Sequence, residues 1–148
     1  MSNENILTFQ GHVGTQVELR EGAAVPWVLF RVASTPSYWD QATRAWRELP
    51  TTWMSVKAFR LLAQNAAESL SVGDPVVVIG RLRTEVWTTK DGESRESSVL
   101  EATMIAHDLT RGVSSFRRVE RPAAQPSTPD GTAEALAALE QQTASSAA

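Results

Sequence analysis

Along this chain the spacing of apolar residues changes character once, and that single change limits the folds open to it. The other periodic segments between residues 5 and 109 read as strands. Residues 5–13, NILTFQGHV, alternate apolar and polar side chains. Residues 27–34, WVLFRVAS, form a nearly continuous apolar run rich in β-formers. In WMSVKAF, residues 53–59, period two sets Trp53, Lys57 and Phe59 on one face and turns Met54, Val56 and Ala58 toward a core. PVVVIGRLRTEVW, residues 75–87, opens as a buried run and then places Arg81, Arg83 and Trp87 on a common face. TTKDGES is a hairpin turn built on Asp91-Gly92, and SSVLEATMIAHDL, residues 97–109, returns from it. The exception is FRLLAQNAAESL, where Phe59, Leu62, Ala63, Ala66 and Leu70 recur with helical spacing over about three turns. Gly73 and Asp74-Pro75 end that helix.

Five strands with one short helix between the third and fourth predict an all-β fold, a five-stranded OB-fold barrel over residues 1–112. From residue 113 the composition turns to Pro, Ala, Ser and Thr with few large apolar side chains. Such a segment cannot bury enough surface to offset its ordering entropy, so residues 113–148 are predicted to be a disordered tail. Within it, TAEALAALEQQ (132–142) has helical character with Leu136 and Leu139 on one side, but is too short to be stable alone in water.

Several functions are excluded by what the chain lacks. It has no cysteine, and its two histidines, His12 and His107, are too few and too scattered for a zinc cluster, so no metal or other cofactor is expected. No P-loop, nucleophile-elbow serine or zinc-protease motif is present, and the hairpin carboxylates Glu93, Glu96 and Glu101 have no base beside them in sequence. They read as a solvated face, the histidines as strand or strand-end residues, and the chain as not an enzyme. No segment approaches the length of a membrane span and MSNENILTFQ lacks a secretory pattern, so the expected location is cytoplasmic, with no membrane partner. The net charge of −3 speaks against a strongly basic clamp. Yet only Lys57 and Lys90 among the 14 cations are lysines; the rest are arginines, which also stack on flat rings.

The stretch SYWDQATRAWRELPTTW, residues 37–53, holds Trp39, Trp46 and Trp53 among polar neighbours. A spacing of seven fits one helix face, but Pro50 and the flanking threonines reject a helix. Rings without an evident core need another partner. An OB-fold barrel binds single strands or oligosaccharides on its sheet face and loops. Trp39, Trp53, Phe59 and Trp87 on its outside would be platforms for bases, with Lys57, Arg81 and Arg83 tracking phosphates. Against each ring stands ordinary core or edge packing, and Phe59 also starts the helix face. Trp46 reads as a loop cap, and Trp27 as packing under the second strand or at a subunit contact.

Together, GHVGTQVELR, WVLFRVASTPSYWD, TTWMSVKAF and VGDPVVVIGRLRTEVWTTKDG resemble the bacterial single-stranded DNA-binding proteins over about residues 5–110. The resemblance implies that Trp39, Trp53, Phe59 and Trp87 stack on bases and that Arg20 contacts the backbone. It also implies a homotetramer that coats exposed single strands without sequence preference, in replication, repair or recombination at the nucleoid. Two departures stand out. Glu85 and Val86 precede the last Trp where the family often has cations, and Glu48 stands at an often basic loop position, so phosphate neutralisation should be weaker. The chain ends EQQTASSAA, without the acidic tip and terminal Pro-Phe that recruit replication and repair enzymes. The expectation is a secondary paralogue that is no recruitment hub or relies on a tip-bearing partner. A reading from another class is an OB-fold protein-interaction module. Salt separates the two, since strand binding should weaken with a log-log slope of about −0.7 per phosphate contacted.

Overall fold

A computed structural model describes residues 3–120 together with residues 137, 138 and 141, which are helical. In chain order the elements are β1 (Ile6–Val13), β2 (Trp27–Ser34), β3 (Ser37–Asp40), β4 (Ala45–Glu48), β5 (Thr52–Phe59), α1 (Arg60–Ser69), β6 (Pro75–Thr88) and β7 (Ser94–His107). The chain divides into two units, Met1–Ser114 and Ser115–Ala148. Residues 113–120 carry no helix or strand and are exposed. The remainder of the expected tail, and most of the 132–142 helix, lie outside the described residues.

β1, β2, β5, β7 and β6 close into a barrel in that order. All neighbours are antiparallel except β5 and β7. This is the five-stranded OB-fold order with its helix between the third and fourth barrel strands, as the spacing predicts. Alternation does the sorting: Val28, Phe30, Val32, Val56, Ala58, Val76, Val78 and Leu100 point inward and are buried. No buried polar or charged residue interrupts this core among the described residues. The helix packs on β2, β5 and β7 through Ala63 and Ala66, whose small side chains permit close approach.

That helix has no side-chain cap at its start. Instead Arg60 adopts a left-handed φ of 58°, and its N–H donates to the Pro26 carbonyl at 2.8 Å, fastening α1 to the segment leading into β2. At the other end Gly73 takes φ 95°. Its N–H donates to Val13 O at 2.7 Å while Val13 N–H donates to Asp74 O at 2.9 Å, which pins the helix exit to the end of β1. The Asp74 carboxylate also accepts from His107 Nε2 at 3.0 Å, and His107 Nδ1 lies 2.8 Å from Ser114 Oγ.

The structure departs from the sequence reading in one element. Residues 37–53 are not a plain loop but carry a hairpin, β3 and β4, with Trp39 directly opposite Trp46. Asp40 holds its turn, accepting from Ala42 N–H at 2.9 Å and pairing with Arg47 Nε at 2.9 Å. At its base Thr35 and Thr51 join their hydroxyls at 2.7 Å, and Leu49 N–H donates to Pro36 O at 2.8 Å. Strands of four residues are too short to show a period in sequence.

β6 and β7 run on past the barrel as a two-stranded ribbon, from Thr84 opposite Ser98 to Thr88 opposite Ser94. A register shift between Ile79 and Gly80 bends the pair where the barrel closes. Gly80 is required there, because a Cβ would sit 2.2 Å from the Glu101 carbonyl oxygen. Replacing Gly80 by Ala is expected to lower the unfolding free energy by about 1–3 kcal/mol, the usual effect of overpacking against rigid backbone, as read by urea denaturation.

Candidate nucleic-acid interface

On the outer face of β2 and β5, register sets Trp27 beside Phe59, Leu29 beside Lys57, Arg31 beside Ser55 and Ala33 beside Trp53. Two cation and ring assemblies result. In the first, the Arg31 guanidinium lies 4.8 Å from the centre of the Trp53 ring. That ring also lies close to Gly14, where a Cβ would come within 2.5 Å of it. In the second, Arg20 and Lys57 each lie 5.2 Å from the centre of the Trp27 ring. Lys57 also lies 5.4 Å from Phe59. Arg20 is held there by paired backbone bonds with Trp27, at 2.8 and 3.1 Å. Arg20 and Arg31 form no ion pair among the described residues, so their charge is available on the surface.

Trp27 therefore lies on the outside, not beneath the second strand. Its position alternates with inward Val28, Phe30 and Val32, a spacing already visible in WVLFRVAS. Arg31, two positions further on than Leu29 and four from Trp27, shares the same face, and the sequence reading passed over it. Trp46 likewise is no loop cap. It meets Trp39 edge-on across the hairpin, ring centres 5.7 Å apart at 72°.

Exposure separates these rings from the core. Trp39, Trp53 and Trp87 are 48, 47 and 47% exposed and Trp46 is 68% exposed, whereas Phe30 is 1% exposed. Phe59 is half-buried, set between strand and helix. Trp87 stands on the β6–β7 ribbon with no ring or cation contact among the described residues. The hairpin presents Tyr38, Trp39 and Trp46, and the barrel wall presents Trp27, Trp53 and Phe59.

The cations expected to track phosphates are less free than their sequence positions suggest. Arg81 Nε lies 2.9 Å from Glu4 Oε2. Arg83 sits 3.7 Å from Glu4 on one side and 3.7 Å from Glu101 on the other. Lys57 pairs with Glu85 at 3.4 Å. Glu93 pairs with Arg95 at 3.5 Å. Of the three hairpin carboxylates read as a solvated face, Glu93 and Glu101 thus hold arginines. Glu4 carries no sequence signal; it reaches the arginines because β1 lies beside β6. No cluster of three or more metal-ligating side chains occurs among the described residues, and no helix is long and apolar enough to cross a membrane. The whole arrangement suits binding to a flexible polyanion with flat bases.

Residues 3–108 match the single-strand binding protein family. The chain belongs to this family. As a member it resembles single-stranded DNA-binding protein 1 of Streptomyces coelicolor, 46% identical over 86% of this chain and 81% of the relative. It is 41% identical to single-stranded DNA-binding protein 2 of Streptomyces avermitilis, over 88% of this chain and 78% of that one. The crystal structure of the small single-stranded DNA-binding protein from Streptomyces coelicolor superposes with a TM-score of 0.65 at 44% identity, covering 75% of this chain and 100% of that one. The Plasmodium falciparum SSB in complex with single-stranded DNA shares the fold, with a TM-score of 0.61 at 17% identity over 72% of this chain and 97% of that one. The family is one of binding proteins, not catalysts, in agreement with the motif reading.

The contact between Gly14 and Trp53 makes a local test. Gly14→Ala is expected to push the Trp53 ring off its seat under Arg31, shifting tryptophan emission to the red. The unfolding free energy should change by less than about 1 kcal/mol, because only a side chain must move.

Proposed function

We propose that the chain binds and protects single-stranded DNA without sequence preference, in replication, repair or recombination. The observation that carries this reading is the set of half-exposed rings on the outside of a closed barrel, each wall ring with a cation beside it, in a member of the single-strand binding protein family. Family membership and the names of its relatives support the ligand; the geometry supports the residues.

In this reading bases stack on Trp39, Trp53, Phe59 and Trp87, and on Trp27 and Trp46, which the tertiary structure adds. Arg20, Arg31, Lys57, Arg81 and Arg83 meet the phosphates. Stacking is indifferent to base identity because every base has a flat face, and the cations read only backbone charge. The strand is thereby kept from re-pairing. No bond is made or broken, so neither metal nor cofactor has a role.

We further infer a homotetramer as the working unit. Support comes from the outward apolar surface of β6 and β7, where Ile79 is opposite Met104 and Val77 is opposite Ala106. Met104 is 63% exposed and Ile6 is 72% exposed, and such residues in one patch suit a subunit contact. Residues 1–112 form the DNA-binding domain in this proposal, and residues 113–148 an appended segment not needed for strand binding. A coat for opened chromosomal strands acts at the nucleoid, in the cytoplasm of a bacterial cell.

Titration of intrinsic tryptophan fluorescence with oligo(dT), at two salt concentrations and with light scattering for mass, tests the proposal. Quenching by single strands but not duplex, weakened by salt, is expected from a particle of four chains. A folded protein that shows no quenching would sink strand binding. Trp53→Ala and Trp87→Ala are each expected to weaken oligo(dT) binding by about 1–3 kcal/mol while leaving the urea midpoint nearly unchanged. A large loss of stability would return those rings to a packing role.

A further inference from the structure

Among the outward cations, Arg81 and Arg83 are two positions apart on β6, so their guanidinium groups share a face. Glu4 occupies the notch between them, and Glu101 Oε2 flanks it 3.7 Å from Arg83 Nε. Glu4 Oε2 lies 2.9 Å from Arg81 Nε, and Glu4 Oε1 lies 3.7 Å from Arg83 Nη2. One carboxylate thus spans two guanidinium groups with its two oxygens, as a phosphodiester does with its two free oxygens. Backbone geometry sets the position: Leu82 N–H donates to Asn5 O at 2.8 Å, and the ladder then continues from Ile6 opposite Arg81. Glu4 is delivered to the notch by the strand pairing that closes the barrel.

We infer that the Arg81–Arg83 notch is a backbone-phosphate site which the chain fills with its own Glu4 carboxylate until a nucleic-acid strand displaces it. The inference rests on the single-strand reading and assigns Glu4 a role as internal competitor. A carboxylate and a phosphodiester carry the same single charge and make the same kind of charge-assisted hydrogen bond, so the exchange is nearly balanced. The strand prevails through stacking elsewhere on its length. A free phosphate, with no rings to help it, competes poorly. The site therefore favours a polymer over small phosphates, and it recloses when the strand leaves. Lys57 and Glu85, at 3.4 Å, repeat the arrangement on the neighbouring wall with one cation. The balance also bears on salt, because a displaced Glu4 returns to water and holds a counterion, offsetting part of the counterion release that strand binding produces.

The experiment compares the full-length wild-type chain with Glu4→Gln and Glu96→Gln in fluorescence titrations with oligo(dT) across a salt series. Glu96 lies on the β6–β7 ribbon beyond the notch, opposite Val86, and makes no ion pair among the described residues, so its variant alters net charge equally. Glu4→Gln is expected to bind roughly two- to fivefold tighter, the range of an exposed ion pair, with a steeper salt slope. Glu96→Gln should change little. Unchanged or weaker binding by Glu4→Gln would overturn the inference, the weaker result meaning that Glu4 orders the arginines for the strand. An equal gain in both variants would also overturn it, assigning the effect to overall charge. In all three cases binding by the wild type would leave the single-strand reading intact, whereas no wild-type binding would remove both.

Discussion

Closure of the barrel through the β1–β6 ladder decides where the side chains of its five strands point, and the putting together of the surface follows from it. With Ile6 opposite Arg81 on β1 and β6 and Phe30 opposite Val56 on β2 and β5, alternation along each strand sends Val28, Phe30, Val56, Val76 and Val78 inward. The same alternation forces Trp27, Arg31, Trp53, Lys57, Arg81 and Arg83 outward. A one-residue slip would exchange the two sets and bury charge in an apolar core, so the register is held by a heavy penalty. Core and binding face are two sides of one constraint. Glycines relieve it where strands crowd: Gly80 lets β6 bend against β7, and Gly14 leaves room for the Trp53 ring.

The outer face combines rings and cations in a way that lowers the charge a ligand must supply. Arg31 over Trp53, and Arg20 and Lys57 about Trp27, keep their cations near flat apolar surface. Of these, Arg20 and Arg31 are attracted by a ring and, having no ion pair among the described residues, remain free to meet a phosphate. Arg81, Arg83 and Lys57 are instead neutralised by Glu4, Glu101 and Glu85. The chain carries a net charge of −3, and these pairs keep an acidic molecule from displaying a strongly positive track at rest. In the proposed function, affinity then depends on stacking more than on charge, which suits a protein that holds any sequence and releases it.

The β3–β4 hairpin extends this logic beyond the barrel wall. It has no core of its own, yet it is held by the Thr35–Thr51 hydroxyl pair at its base, the Trp39–Trp46 edge contact in its middle and the Asp40–Arg47 ion pair near its tip. Arg44 ends its turn at a left-handed φ of 49°. The aromatic pair thus serves two ends, bracing the hairpin and presenting ring surface to solvent. The β6–β7 ribbon presents Trp87 in a similar manner, held by backbone pairing and by the Glu93–Arg95 and Lys57–Glu85 ion pairs.

Much of this architecture was legible without coordinates. The strand runs, the single helix and the Asp91-Gly92 turn are local patterns, and local patterns survive in a one-dimensional reading. Period two was also enough to set Trp53, Lys57 and Phe59 on one face. The hairpin escaped because its strands are four residues long and its aromatic spacing imitates a helix. Arg31 and Trp27 alternate with the buried residues of their run, but its near-continuous apolar character reads first as a strand buried on both faces. Glu4 was invisible for a different reason: it is 77 positions from Arg81, and only closure of the ladder makes them neighbours. The sequence by itself determined which residues alternate and where the period changes, because those follow from backbone geometry one residue at a time. The tertiary structure alone decided which cation faces a ring and which faces a carboxylate, because that depends on barrel strands that are neighbours in space but distant along the chain.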